Sequence, residues 1–158
     1  MRHQSERWPG AKGELLLMPC IDDREAFLQQ ANIAVLSTVD AEGRPHAAPV
    51  WYLYDDGVFV VSSDVGSQKH KNIQSNANIC LTIDKRDLPY FAVMAHGRAE
   101  IGPGFSDEER LRLSIRYLGE QLGQAYAAQT RVFEDSLSIR LRPAKVIEYH
   151  GRAARAVS

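Results

Sequence analysis

The chain has no long apolar run. No segment approaches the ~20 consecutive apolar residues that a membrane-spanning helix requires. The short run at residues 15–18 falls below the ~7–15 residues of a signal-peptide core, and Asp22 and Asp23 soon follow it. A cytoplasmic protein with no membrane partner is expected. Cysteine is scarce: only Cys20 and Cys80 occur. They show no CxxC spacing and are too few for a disulfide framework. Each lies among apolar neighbours, so both are expected to be small buried hydrophobes. An excess of either charge is also lacking, since 19 Lys and Arg face 20 Asp and Glu for a net charge of −1. That excludes a general affinity for nucleic acid or anionic membrane. Nor do the aromatics alternate with Lys or Arg along a strand, as a single-strand-binding barrel would need. The histidines, His3, His46, His70, His96 and His150, are not at metal-ligand spacing, so no metal site is expected. There is no GxSxG, HExxH or Walker loop, no internal repeat and no low-complexity segment. No catalytic side chain is assigned.

What remains is an ordinary globular composition, 44% hydrophobic and 25% charged over 158 residues. That is enough chain for one domain to bury its own core. The expected organisation is an N-terminal arm at 1–20, a single domain at 21–150 and a disordered tail at 151–158. Asp22, with Glu25 three residues on, opens a short helix ending near residue 30 or 31. IAVLSTV at 33–39 is a β-branched strand, stopped by DAEG with Gly43 in a hairpin turn. The next strand, 44–54, contains Pro45 and Pro49. Proline gives no N–H to a ladder, so this strand belongs at a sheet edge or a break, with backbone groups free for a planar ligand. Strands follow at 58–63, 77–84 and 90–101. On the last, Phe91, Val93, Ala95, Gly97, Ala99 and Ile101 face a core, and Gly97 marks a bulge or a close backbone approach. Ser106 and Glu109 form a capping box for a helix with Leu111, Ile115, Leu118 and Leu122 as its apolar stripe. Gly119 divides it from a second helix reaching about residue 129. Strands at 136–142 and 145–149 close the chain. Many short strands in hairpin order give a mainly β, antiparallel barrel with inserted helices.

One segment breaks a local rule. The strand at 58–63 ends in Ser62 and Ser63, and a short helix at 67–76 then opens with Ser67, Gln68 and Lys69. A helix N-terminus already carries partial positive charge, so a lysine in the first turn is electrostatically misplaced. An anion bound there would remove the conflict. Either Lys69 is a solvated lysine on a surface helix, or the element holds a phosphate-bearing cofactor. Trp51 and Tyr52 are able to stack on a cofactor ring, although one of them belongs to the core. His46 and His96 are either pocket-lining or structural.

The segments STVDAEGRPHAAPVWYLYDDGVFVVSS, GSQKHKNI, ANICLTID and VMAHGRAEI, in this order, resemble the pyridoxamine 5′-phosphate oxidase-like proteins, the FMN-binding split β-barrel family. RYLGEQLGQAY and SIRLRPAKVIEY resemble a branch that includes deazaflavin-dependent reductases. The resemblance covers residues 22–149. It implies a split β-barrel homodimer with cofactor at the interface and a small-molecule substrate. It also implies an FMN-dependent oxidoreductase in which the flavin carries the hydride chemistry, or alternatively a deazaflavin-dependent reductase. By position, Ser62, Ser63 and Ser67 would meet the phosphate arm, and Gln68 and Lys69 match the family's Arg-Lys phosphate clamp. Asn72 matches a recurrent Asn of the same helix, and Pro49, Val50 and Trp51 the strand whose backbone meets the ring. Gln68 stands where the family often has Arg, leaving Lys69, with Lys71, to neutralise the phosphate. The vitamin B6 substrate is not carried over, because the N-terminal segment and C-terminal motif of those oxidases have no counterpart here. A deazaflavin's acidic tail would draw on Arg2, Arg7 or Lys12. A third reading is a non-enzymatic dimer that binds haem, another tetrapyrrole or flavin, with His46, His70 or His96 as the only candidate axial ligands.

Overall fold

The computed structural model describes residues 24–87, 90–130 and 135–151. The expected arm at 1–20, Cys20 and the capping Asp22 lie outside the described residues, as does the tail beyond Gly151. Among the described residues no helix is long and apolar enough to cross a membrane.

Chain order runs α1 (Arg24–Leu28), β1 (Ala34–Val39), β2 (Pro45–Val50), β3 (Leu53–Asp55), β4 (Val58–Asp64), α2 (Gln68–Ser75), β5 (Asn78–Lys85) and β6 (Phe91–Pro103). Then come α3 (Asp107–Leu118), α4 (Glu120–Gln129), β7 (Ser136–Leu141) and β8 (Lys145–His150). The strands join in the order β2-β1-β5-β6-β7-β4-β3, and β8 also pairs with β6. Every pairing is antiparallel, so the chain is a split β-barrel with helices inserted.

The long strand β6 organises the two halves. Its first part pairs with β5 and β8, and its last part, from Ala99, pairs with β7. The exchange happens at Gly97, where a Cβ would meet Leu141 Cδ1 at 2.8 Å and the Arg142 carbonyl oxygen at 3.1 Å. The mid-strand glycine therefore marks a close backbone approach. Phe91, Val93, Ala95 and Ala99 point inward as expected, but Ile101 is 42% exposed. By that point β6 has left β5 and β8 and pairs with β7 alone, so the alternation no longer reports the barrel core.

The strand expected at 44–54 is two strands. β2 runs through both prolines at the end of the sheet order, where missing donors cost no ladder bond. The break comes at Trp51 and Tyr52 instead. There the Tyr52 N–H leaves the ladder and donates to Tyr117 Oη at 3.2 Å. Tyr52 is the core member of the aromatic pair, fully buried, with its hydroxyl donating to the Leu28 carbonyl.

The α3 stripe also differs from expectation. Leu111 is exposed, and Leu122, which falls in α4 rather than α3, is 68% exposed. The packed face carries Leu113, Ser114 and Tyr117. Leu113 joins Phe105, Leu53 and Val60 in a second, smaller core, and Tyr117 stacks on Trp51. The capping box forms as expected: Ser106 Oγ accepts from Glu109 N, and Glu109 Oε2 from Ser106 N. Gly119, at φ 79°, separates α3 from α4. Cys80 is half-buried rather than buried, its Sγ 3.7 Å from both Thr82 Oγ1 and His96 Nε2. It sits on the face of β5 opposite the core residues Ile79, Leu81 and Ile83.

Candidate functional site

The edge strand, the end of β4, the first turn of α2 and the α3–α4 pair converge on one cleft of about 440 Å³. That is within the size range of small-molecule and cofactor sites. Pro49, Val50 and Trp51 form one wall, Ser62 and Asp64 come from β4, and Lys69 comes from α2. Leu113, Ser114, Tyr126 and Thr130 form the helical wall.

The order of β4, its loop and α2 explains where Lys69 sits. Gly66, at φ 79°, turns the chain, and Ser67 N donates to the Asp64 carbonyl at 3.2 Å. Ser67 is the N-cap, its Oγ accepting from His70 N at 3.4 Å. His70 in turn receives the Gly66 N–H on Nδ1 at 2.9 Å, which holds the loop against the helix. The first N–H groups of a helix have no intrahelical acceptor, and no acidic residue occupies this first turn. Among the described residues Lys69 has no ion-pair partner. A cation thus sits beside N–H donors that lack intrahelical acceptors, at the positive end of a helix and facing a cleft, an arrangement whose chemistry suits an anion.

The other residues expected at the site divide into two groups. Pro49, Val50, Trp51, Ser62 and Lys69 share the cleft. Ser63, Ser67, Gln68 and Asn72 do not line it and build the support behind it. Ser63 is buried with its Oγ 3.0 Å from Ser67 Oγ. Asn72 is 2% exposed and donates to Thr38 Oγ1 at 2.9 Å. Gln68 Nε2 donates to Asn72 Oδ1 at 2.7 Å. This chain ties α2 to β1 and fixes the direction in which its first turn points. His46, His70 and His96 are not among the cleft's lining side chains.

Sequence reasoning missed Asp64, Arg110, Tyr126 and Thr130. Asp64 directly follows the two serines in sequence, but its place at the cleft depends on the β4–β7 register, which sets it opposite Ser136. Arg110 spends its guanidinium on the fold, donating to the Phe105 and Thr130 carbonyls and to Asp107 at 3.0 Å. Burial pushes the Tyr117 hydroxyl pKa up, although hydrogen bonding with Tyr52 and the nearby Arg116 oppose the shift. Tyr117 therefore stays protonated and holds the Trp51 wall by packing and hydrogen bonding. The Trp51 and Tyr117 rings stack at 4.7 Å, and Tyr126 tilts against the indole at 6.1 Å.

Residues 21–150 match the family model for pyridoxamine 5′-phosphate oxidase. A curated pyridoxine/pyridoxamine 5′-phosphate oxidase of Dichelobacter nodosus (strain VCS1703A) is 27% identical over 135 residues, 81% of this chain. The match spans 60% of that relative's length. A solved F420 reductase superposes with TM-score 0.64 at 26% identity, covering 78% of this chain and 94% of its own. A conserved hypothetical protein from Mycobacterium tuberculosis shares the fold with TM-score 0.65 at 17% identity, covering 84% of this chain and 88% of its own.

Proposed function

Because the chain belongs to the pyridoxamine 5′-phosphate oxidase family, we propose that its cleft holds the phosphate-bearing flavin or deazaflavin coenzyme of an oxidoreductase. The observation that carries this reading is Lys69, unpaired among the described residues and lining the same cleft as the edge-strand segment Pro49 to Trp51. The similarity to an F420 reductase supports a deazaflavin as readily as FMN. When bound, the coenzyme supplies hydride transfer to or from a small organic substrate. The chain's own part is to bind and orient. Lys69 and the free N–H groups of α2 hold the phosphate, with Ser62 and Ser67 as nearby hydroxyls. Ser63, Gln68 and Asn72 keep that turn in position. The free side of β2, where the prolines lack N–H groups, offers mainly backbone carbonyls to the polar edge of a ring. Trp51, braced by Tyr117, gives an aromatic boundary, and Tyr126 and Thr130 narrow the helical side.

Two copies are proposed to assemble, as the family resemblance implies. Val146, Ile147 and Tyr149 of β8 are exposed apolar side chains suited to that contact. Titrating the purified protein with FMN and with a deazaflavin coenzyme, read by visible absorbance, tests the reading. A saturable spectral shift with one of them supports it, and no shift with either overturns it.

A further inference from the structure

A second cavity, of about 380 Å³, shares no lining residue with the cleft. Strand β4 connects the two: Phe59 near its start lines the second cavity, and Ser62 and Asp64 at its end line the cleft. The volume falls in the range of small-molecule sites. Leu28, Phe59 and Val93 of the main core form its apolar lining, with Pro143 beside them. Its charged side chains are Arg24, Glu25 and Arg142. Two of these are committed. Arg24 is matched by Glu148 at 3.1 Å and lies 3.6 Å from Glu25. Glu25 Oε1 also accepts the Tyr54 hydroxyl at 3.0 Å.

Arg142 differs from Arg24. Its NH1 donates to the Asp56 carbonyl at 3.2 Å, which holds the guanidinium over the β3–β4 turn. That nitrogen lies 3.8 Å from where a Cβ on Gly57, another lining residue, would stand. Among the described residues no carboxylate pairs with Arg142. A guanidinium fork with most of its N–H groups uncommitted is shaped for a planar carboxylate. Here it stands beside an apolar lining that would shelter a hydrocarbon tail. We infer that this cavity is a second ligand site, for a small carboxylic acid with an apolar tail. The tail lies against Leu28, Phe59 and Val93, and the carboxylate meets Arg142. The inference does not rest on the coenzyme reading, because the two cavities have no residue in common.

The test separates the tail from the charge. Octanoate, hexanoate and octylamine are titrated into the intact protein at pH 7.5 by isothermal calorimetry. Octanoate is then titrated into Arg142→Gln, Arg142→Lys and Lys69→Ala, with the melting temperature of each protein recorded. Octanoate is expected to saturate one site per chain and to raise the melting temperature. Hexanoate, shorter by two methylenes, should bind about tenfold more weakly. Octylamine, with the same tail and the opposite charge, should also lose about tenfold or more. Arg142 is exposed, so Arg142→Gln should fold normally and weaken octanoate by about tenfold. Arg142→Lys should recover most of that loss, and Lys69→Ala should change nothing. No saturable octanoate binding overturns the inference, as does octylamine binding equally well. Octanoate lost in Lys69→Ala but kept in Arg142→Gln places the acid in the coenzyme cleft and overturns it too.

Discussion

The ring of Tyr117 lies flat on Trp51, the centroids 4.7 Å apart and the planes 2° from parallel. The same tyrosine donates to the Asn32 carbonyl at 2.8 Å and accepts from Tyr52 N at 3.2 Å. One side chain of α3 thereby fixes the point where the chain leaves the edge strand, and with it the wall of the cleft. Tyr117→Phe keeps the stack but leaves two backbone groups without this partner. An expected cost of about 1–3 kcal/mol would appear as a lower midpoint in chemical denaturation, with coenzyme affinity reduced through the displaced wall.

Asn72 tests the difference between support and contact. Its amide bridges Thr38 and Gln68 in a buried position. Asn72→Leu leaves the buried Thr38 hydroxyl with only its long 3.5 Å contact to the His46 carbonyl, so a loss of about 1–3 kcal/mol is expected. The same denaturation experiment reads it. Any loss of coenzyme binding should follow the unfolding of α2 and be absent where the variant is still fully folded.

Gly123 sets the approach of α4 to α3. A Cβ there would lie 2.6 Å from the Ile115 backbone. Alanine in a helix interior ordinarily gains about 1 kcal/mol over glycine. Here the overlap is with backbone that cannot rotate away, and overpacking of this kind costs about 1–3 kcal/mol or more. Gly123→Ala is expected to lower the melting temperature. A rise would show that the two helices are less tightly packed than described.

Glu109 gives an acid-limb prediction. Burial raises its pKa, but the Ser106 N–H and hydroxyl and the Arg140 guanidinium outweigh that, holding it below the usual value of 4.5. A group whose pKa is depressed on folding stabilises the fold above its unfolded value and loses that contribution as pH falls through the folded one. Wild type should therefore lose stability below about pH 4.5. Glu109→Gln should be less stable near neutrality and show a shallower acid decline in thermal melts taken across pH 2–7.

Most of the fold was legible because it rests on local signals. The β-branched runs, the DAEG and DDG turns, the Ser106 and Glu109 capping box and the glycine at 97 each act over a few residues. What was not legible depends on tertiary placement. Trp51 and Tyr52 carry strong strand propensity, yet the strand breaks there because Tyr117, 65 residues on, takes the Tyr52 N–H. Leu111 fits a helical stripe, yet α3 turns Leu113 and Tyr117 inward because Phe105 and Trp51 offer the partners.

The candidate site followed the same division. An electrostatic conflict inside a single helical turn singled out Lys69, and the structure puts it on the cleft. Ser62 and the Pro49 to Trp51 segment were legible from the strand pattern and the family resemblance. Asp64 and Tyr126 were not, since strand register and helix docking bring them to the cleft. Ser63, Ser67, Gln68 and Asn72 were expected as contacts; none of them lines the cleft, and they hydrogen-bond among themselves and to Thr38.

The central claim is that Lys69 holds the phosphate of a flavin-type coenzyme. The most direct measurement is the affinity of wild type and Lys69→Ala for whichever of FMN or a deazaflavin coenzyme binds, with the melting temperature of each protein recorded alongside. At least a tenfold loss of affinity is expected, consistent with a charge-assisted contact worth about 1.5–3 kcal/mol, with an unchanged melting temperature. Equal affinities in two equally stable proteins would contradict it.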